Sequence, residues 1–167
     1  MANSFRILAG SKFRVSMYSV VLAFAAGTVI TSSIFQDMYD WPVGSYPKAA
    51  AVLLAGSGVY VLTAPVLHYF FHRKRPSSLI SSPLVEKVWL SVLFVPLLVG
   101  SILTCALQHQ TYETDPYVPD IAISLEVLGW FTTVGVLLLI VSAFIRSKHV
   151  DEKHERLSDE ASTTEMV

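Results

Sequence analysis

Few residues in this 167-residue chain can do chemistry, and their spacing narrows the kinds. Cys105 is the only cysteine, so the chain has no intrachain disulfide, no cysteine zinc cluster and no dithiol redox pair. His68 and His72 have the His-x3-His spacing used by membrane di-iron desaturases and hydroxylases. Such centres draw on several further histidine pairs, and this chain has five histidines in all. The two read instead as boundary side chains, apolar at the base and polar at the tip. A bis-haem site needs facing histidines inside the spans, where only His68 is available. His149 and His154 lie in a polar tail and read as solvated. No serine or cysteine falls at one depth with a histidine and an orienting acid, and no glycine loop is built for phosphate. The expectation is a non-enzyme with no catalytic residue, no metal and no cofactor. Asn3 is the only asparagine and begins no glycosylation sequon, and a net charge of −1 gives no case for nucleic acid.

The remaining candidate is Glu126, and its interest comes from what surrounds it. The windows 15–35, 49–71, 88–107 and 121–145 hold 89 residues and one charged side chain, Glu126. The other 24 charges fall in the remaining 78 residues. A soluble amphipathic helix shows charges on its wet face every turn or so. Runs of at least 20 residues with almost none match the ~20-residue length that crosses a bilayer. The sequence therefore predicts an all-α fold, an integral membrane antiparallel four-helix transmembrane bundle. Its domains are a cytosolic tail over 1–14, the four-span domain over 15–145, and a cytosolic, largely disordered tail over 146–167.

Orientation follows from the basic residues. The N-terminal tail, the loop 72–87 and the C-terminal tail hold 11 of the 12 Lys and Arg, and the opposite side has only Lys48. The excess of positive charge belongs in the cytosol, which places both termini there. A cleaved signal peptide is disfavoured for span 1, because both the apolar run and its basic leader are long. The outer loops 36–48 and 108–120 each carry two prolines and two tyrosines, and read as tight crossovers. Tyr39, Trp41, Tyr46, Tyr112 and Tyr117 suit an aromatic belt at the water–lipid boundary. On the cytosolic side, Arg14 lies under span 1 and His72-Arg73-Lys74-Arg75 under span 2. These five are candidates for lipid headgroups, since each cation near an anionic leaflet is worth ~1 kcal/mol. The expected location is the plasma membrane or a secretory-pathway membrane, with the bilayer itself, anionic lipid, further copies and other membrane proteins as candidate partners. Beyond Leu157 the tail reads as disordered, with Ser158, Ser162, Thr163 and Thr164 as candidate phosphorylation sites.

Small residues mark where helices can approach closely. Ala23, Gly27 and Thr31 recur every fourth residue in span 1. Gly56 lies in span 2, Gly100 shares a face with Pro96 and Thr104 in span 3, and Gly129 lies in span 4. They serve either packing within one bundle or association between copies. Pro65 and Pro96 are expected to kink spans 2 and 3. Glu126 falls on one helical stripe with Ala122, Gly129 and Thr133, so it is expected to face the bundle. It lies six residues after Asp120, ~9 Å along the helix. Lys48 is a candidate ion-pair partner, and Gln108 and His109 are hydrogen-bonding alternatives. Glu126 is either a polar clamp or a proton or cation site; a single acid without a relay favours the clamp.

With this topology the chain resembles the MARVEL-type four-span proteins, especially small fungal ones. The resemblance covers residues 15–145 in architecture. Its local echoes are Val59-Tyr60-Val61-Leu62-Thr63-Ala64-Pro65, Val85-Glu86-Lys87-Val88-Trp89, and Glu126 ahead of Trp130. The family has no catalytic motif to carry over. The resemblance implies a membrane scaffold or organiser, acting in membrane organisation, apposition or vesicle trafficking. The alternative is a small proton- or cation-coupled transporter, or a transporter's accessory subunit, centred on Glu126.

Overall fold

The computed structural model describes residues 11–38, 46–72, 83–112 and 119–164, with side-chain surroundings given for 13–37, 48–66, 69, 84–107 and 120–148. All four segments are helices: α1, Ser11–Met38; α2, Tyr46–His72; α3, Pro83–Tyr112; and α4, Pro119–Thr164. Pro83 and Pro119 open α3 and α4, where a missing N–H costs no hydrogen bond and φ is already helical. Glu86 and Asp120 lie in the first turns of those helices, where the helix dipole favours an acid. Pro65 and Pro96 lie inside α2 and α3, and both helices continue past them.

Four stretches are long and apolar enough to cross a membrane: Phe13–Asp37, Lys48–Val66, Leu84–Leu107 and Asp120–Lys148. The third begins at Leu84, ahead of the window 88–107, and so takes in Glu86 and Lys87. The outward surface is studded with large apolar side chains such as Leu62, Val92, Ile30, Val95 and Phe131, all more than half exposed. In water such a surface would be an aggregation liability; it is compatible with lipid.

The helices form a ring. α1 and α3 each pack against α2 and α4, and α2 also touches α4 across the ring. α1 and α3 occupy the longer diagonal, with no close backbone approach among the described residues. Large side chains fill hollows left by glycine. A methyl group at Gly100 would meet Leu53 Cγ at 2.7 Å, and one at Gly135 would meet Val21 Cγ2 at 2.5 Å. Leu97 packs on Gly56, Leu128 on Gly27, and Leu53 also on Gly129. Gly27, Gly56, Gly100 and Gly129 are thus spent inside one bundle. Ala23 is exposed and stands apart from the packing of Gly27, while Thr31 is half-buried.

Beyond residue 145 α4 runs on to Thr164 and is 46 residues long. Helix formation is costly only at nucleation, and α4 is already nucleated by its apolar part. No proline or glycine follows Gly135, and Glu152 and Arg156 sit at the supportive i, i+4 spacing.

Candidate functional site

The most deeply buried charge among the described residues is Glu86, 1% exposed in the first turn of α3. The Arg14 guanidinium, on α1, donates to its Oε1. Tyr18, one turn further along the same face of α1, donates its hydroxyl to that oxygen at 2.7 Å. Arg146 on α4 approaches from the other side, its Nη1 3.9 Å from Glu86 Oε2. The Arg146 side chain is about a third exposed and reaches the rim of the bundle. Three helices therefore meet on one carboxylate, and the contact bridges the long diagonal that backbones leave open. The long side chains of Arg14, Tyr18 and Glu86 close that gap. Tyr60 of α2 adds a ring stacked on Trp89, centroids 5.8 Å apart. The Tyr60 hydroxyl, Arg14 Nε and Glu86 Oε2 have no hydrogen-bond partner in the structure.

Further along the interior, hydroxyls tie neighbouring helices. Thr28 meets Thr132 at 3.2 Å between α1 and α4, and Ser101 meets Thr133 at 3.0 Å between α3 and α4. Each of these threonine hydroxyls also lies within hydrogen-bond reach of a carbonyl one turn back on its own helix. With one proton per hydroxyl, one of Thr28 and Thr132 gives its proton to the pair, whereas Ser101 can donate to Thr133 while Thr133 donates to Gly129. Among the described residues no group of His, Cys, Asp and Glu is placed to hold a metal ion.

Glu126 lies elsewhere on its helix than the stripe implied. Ala122, Gly129 and Thr133 are buried, but Glu126 is only half-buried, at the flank of α4. The neighbour that reaches it is the Cys105 thiol of α3, which hydrogen-bonds its carboxylate and is itself exposed. Lys48 is exposed and forms no ion pair with it; the ion pairs among the described residues both belong to Glu86. Gln108 and His109 lie outside the described side chains, as do His68, His72 and the aromatic belt. Arg73, Lys74 and Arg75 lie outside the described residues.

Arg14 is the clearest departure among the lipid-headgroup candidates. It is turned into the bundle and buried against Glu86, so its charge is neutralised within the chain. Sequence reasoning passed over Glu86, because it sits just ahead of an uncharged window and reads as a loop residue. A signal for it was present: Arg14 directly borders the run 15–35, and Glu86 is separated from the run 88–107 by Lys87 alone. Lys87, its neighbour, lies over the Phe144 ring at 4.6 Å.

No family model, no curated protein and no solved structure matches the chain.

Proposed function

We propose that the protein is an antiparallel four-span membrane scaffold or organiser of MARVEL-like type, with both termini in the cytosol, acting in membrane organisation, apposition or vesicle trafficking. The observation that carries the reading is what the buried acid does. Glu86 is held by Arg14, Tyr18 and Arg146, which makes it a clamp across the bundle. Its partners come from two other helices, so the contact ties α1, α3 and α4 together, as a structural clamp does. The interior hydroxyl pairs likewise join helix to helix. Glycine-lined contacts run between neighbouring helices, as in a closed bundle. The antiparallel order is supported by the pairing of contacts, with Leu53 on Gly100 and Tyr60 on Trp89, and Val21 on Gly135 and Leu128 on Gly27.

The orientation is tested with single cysteines in a Cys105→Ala background. Cysteines replacing Gly44 and Thr114 react with an impermeant thiol reagent on intact cells, and one replacing Ser77 reacts only after permeabilisation. Labelling of the Ser77 position in intact cells reverses the topology. The function is tested in proteoliposomes, where the scaffold reading gives no pH- or cation-driven flux above protein-free vesicles. A reproducible flux that vanishes in Glu126→Gln would instead establish the transporter.

A further inference from the structure

A groove of about 280 Å³ opens along α4 and is lined by Glu126, Val127, Trp130, Phe131 and Val134. These positions form a patch two turns long, on the side of α4 turned away from the buried Ala122, Leu125 and Val136. Val127, Phe131 and Val134 are each about half exposed. The Phe131 ring is held by stacking on Phe24 of α1, with centroids 5.0 Å apart. Glu126 stands at the rim toward Cys105, and no Lys or Arg among the described residues pairs with it. The groove thus has apolar walls, two aromatic rings and one carboxylate with no counter-charge among the described residues.

Charge complementarity selects the occupant. A carboxylate beside indole and phenyl faces suits an ammonium group, which gains both ion pairing and cation–π attraction there. The valines suit an apolar tail. A bare divalent cation would need several oxygen ligands where the groove offers one carboxylate. A second transmembrane helix fits poorly, because helices associate in lipid through small residues. On α4 those residues, Gly129, Thr133 and Gly135, are buried on the packed side, whereas the groove is walled by bulky side chains. Its volume falls just short of the ~300–1,000 Å³ of a drug-sized ligand site, which suits one head group and the start of a tail.

We propose that this groove binds the protonated head of an amphiphilic amine dissolved in the membrane, with the ammonium on Glu126 between Trp130 and Phe131 and the tail along Val127 and Val134. The ammonium comes from a free long-chain amine or from an amine-headed phospholipid. The site stands independently of the scaffold reading, since it lies on the outside of the bundle.

The test uses the full chain in phosphatidylcholine nanodiscs, with Trp41→Phe and Trp89→Phe leaving Trp130 as the only tryptophan of three. A brominated long-chain amine is titrated and contact quenching of Trp130 is read, with a brominated alcohol of equal length controlling for partitioning. The amine should quench at concentrations at least about ten-fold below the alcohol, and Glu126→Gln should bring the two together. Native mass spectrometry of the unaltered chain should show the same preference, which keeps the test valid if the tryptophan changes disturb folding. Stronger quenching by brominated phosphatidylethanolamine than by brominated phosphatidylcholine assigns the lipid source, and quenching by the free amine alone assigns the other. Equal quenching by amine and alcohol, or a preference that survives in Glu126→Gln, overturns the proposal. So does quenching by a single-lysine transmembrane peptide without quenching by the amine, which would make the groove a helix-docking face.

Discussion

Glu86 and Glu126 invert what their places in the sequence suggest. Glu126 lies within an apolar run, yet it is half-buried on the flank of α4 beside an exposed thiol. Glu86 lies just ahead of an apolar run, yet it is sealed inside the bundle by three side chains from two other helices. Depth along a helix and angle around it are separate coordinates, and hydropathy reports only the first. An acid turned inward at the end of a helix can be drier than one turned outward nearer the middle. The price of each is met differently: Glu86 by arginines of its own chain, Glu126 by a weak thiol donor and an open groove.

The comparison is broken most forcefully at Glu86. Glu86→Ala leaves Arg14 buried without its partner, and should destabilise the bundle by ~3–5 kcal/mol, the usual cost of orphaning one member of a buried pair. The measurement is reversible unfolding in bicelles or mixed micelles. Adding Arg14→Met to Glu86→Met should recover much of that loss, and a double-mutant cycle should report the coupling. A Glu86→Ala loss below ~1 kcal/mol would mean that water or lipid headgroups reach the clamp and replace its partner. The smallest effect belongs to Glu126. Glu126→Leu should change stability by no more than ~0.5 kcal/mol under the same conditions, as at other positions away from the packed core. A loss there comparable to that at Glu86 would erase the distinction between the two acids.

The four helices were legible because charge is almost absent from 89 residues. Their packing was legible in part. Gly56, Gly100 and Gly129 meet large side chains of neighbouring helices, but the sequence cannot say that Leu53 fills the hollow at both Gly100 and Gly129, since that depends on which helices are neighbours in the ring. The clamp escaped for a related reason. Arg14 and Glu86 are 72 residues apart and face each other across a diagonal, and no local pattern encodes a diagonal. Glu126 was assigned to the packed stripe because its i, i+4 relation to Ala122 is real; helical faces are broad, and a residue at the edge of one can turn either way. Past Leu157 the composition carries no helical signal of its own, and the helix there is an extension of α4.

The unbroken course of α4 gives the molecule a mast. Past Lys148, where its apolar stretch ends, residues 149–164 continue for ~24 Å at ~1.5 Å per residue. Under the proposed topology this mast stands off the cytosolic leaflet, joined to the bundle without a hinge. The positions of Ser162, Thr163 and Thr164 then lie well beyond the ~8 Å reach of leaflet charge at physiological salt. Phosphate added there would leave the grip of the bundle on the membrane unchanged. It would instead mark a point held at a fixed height above the lipid.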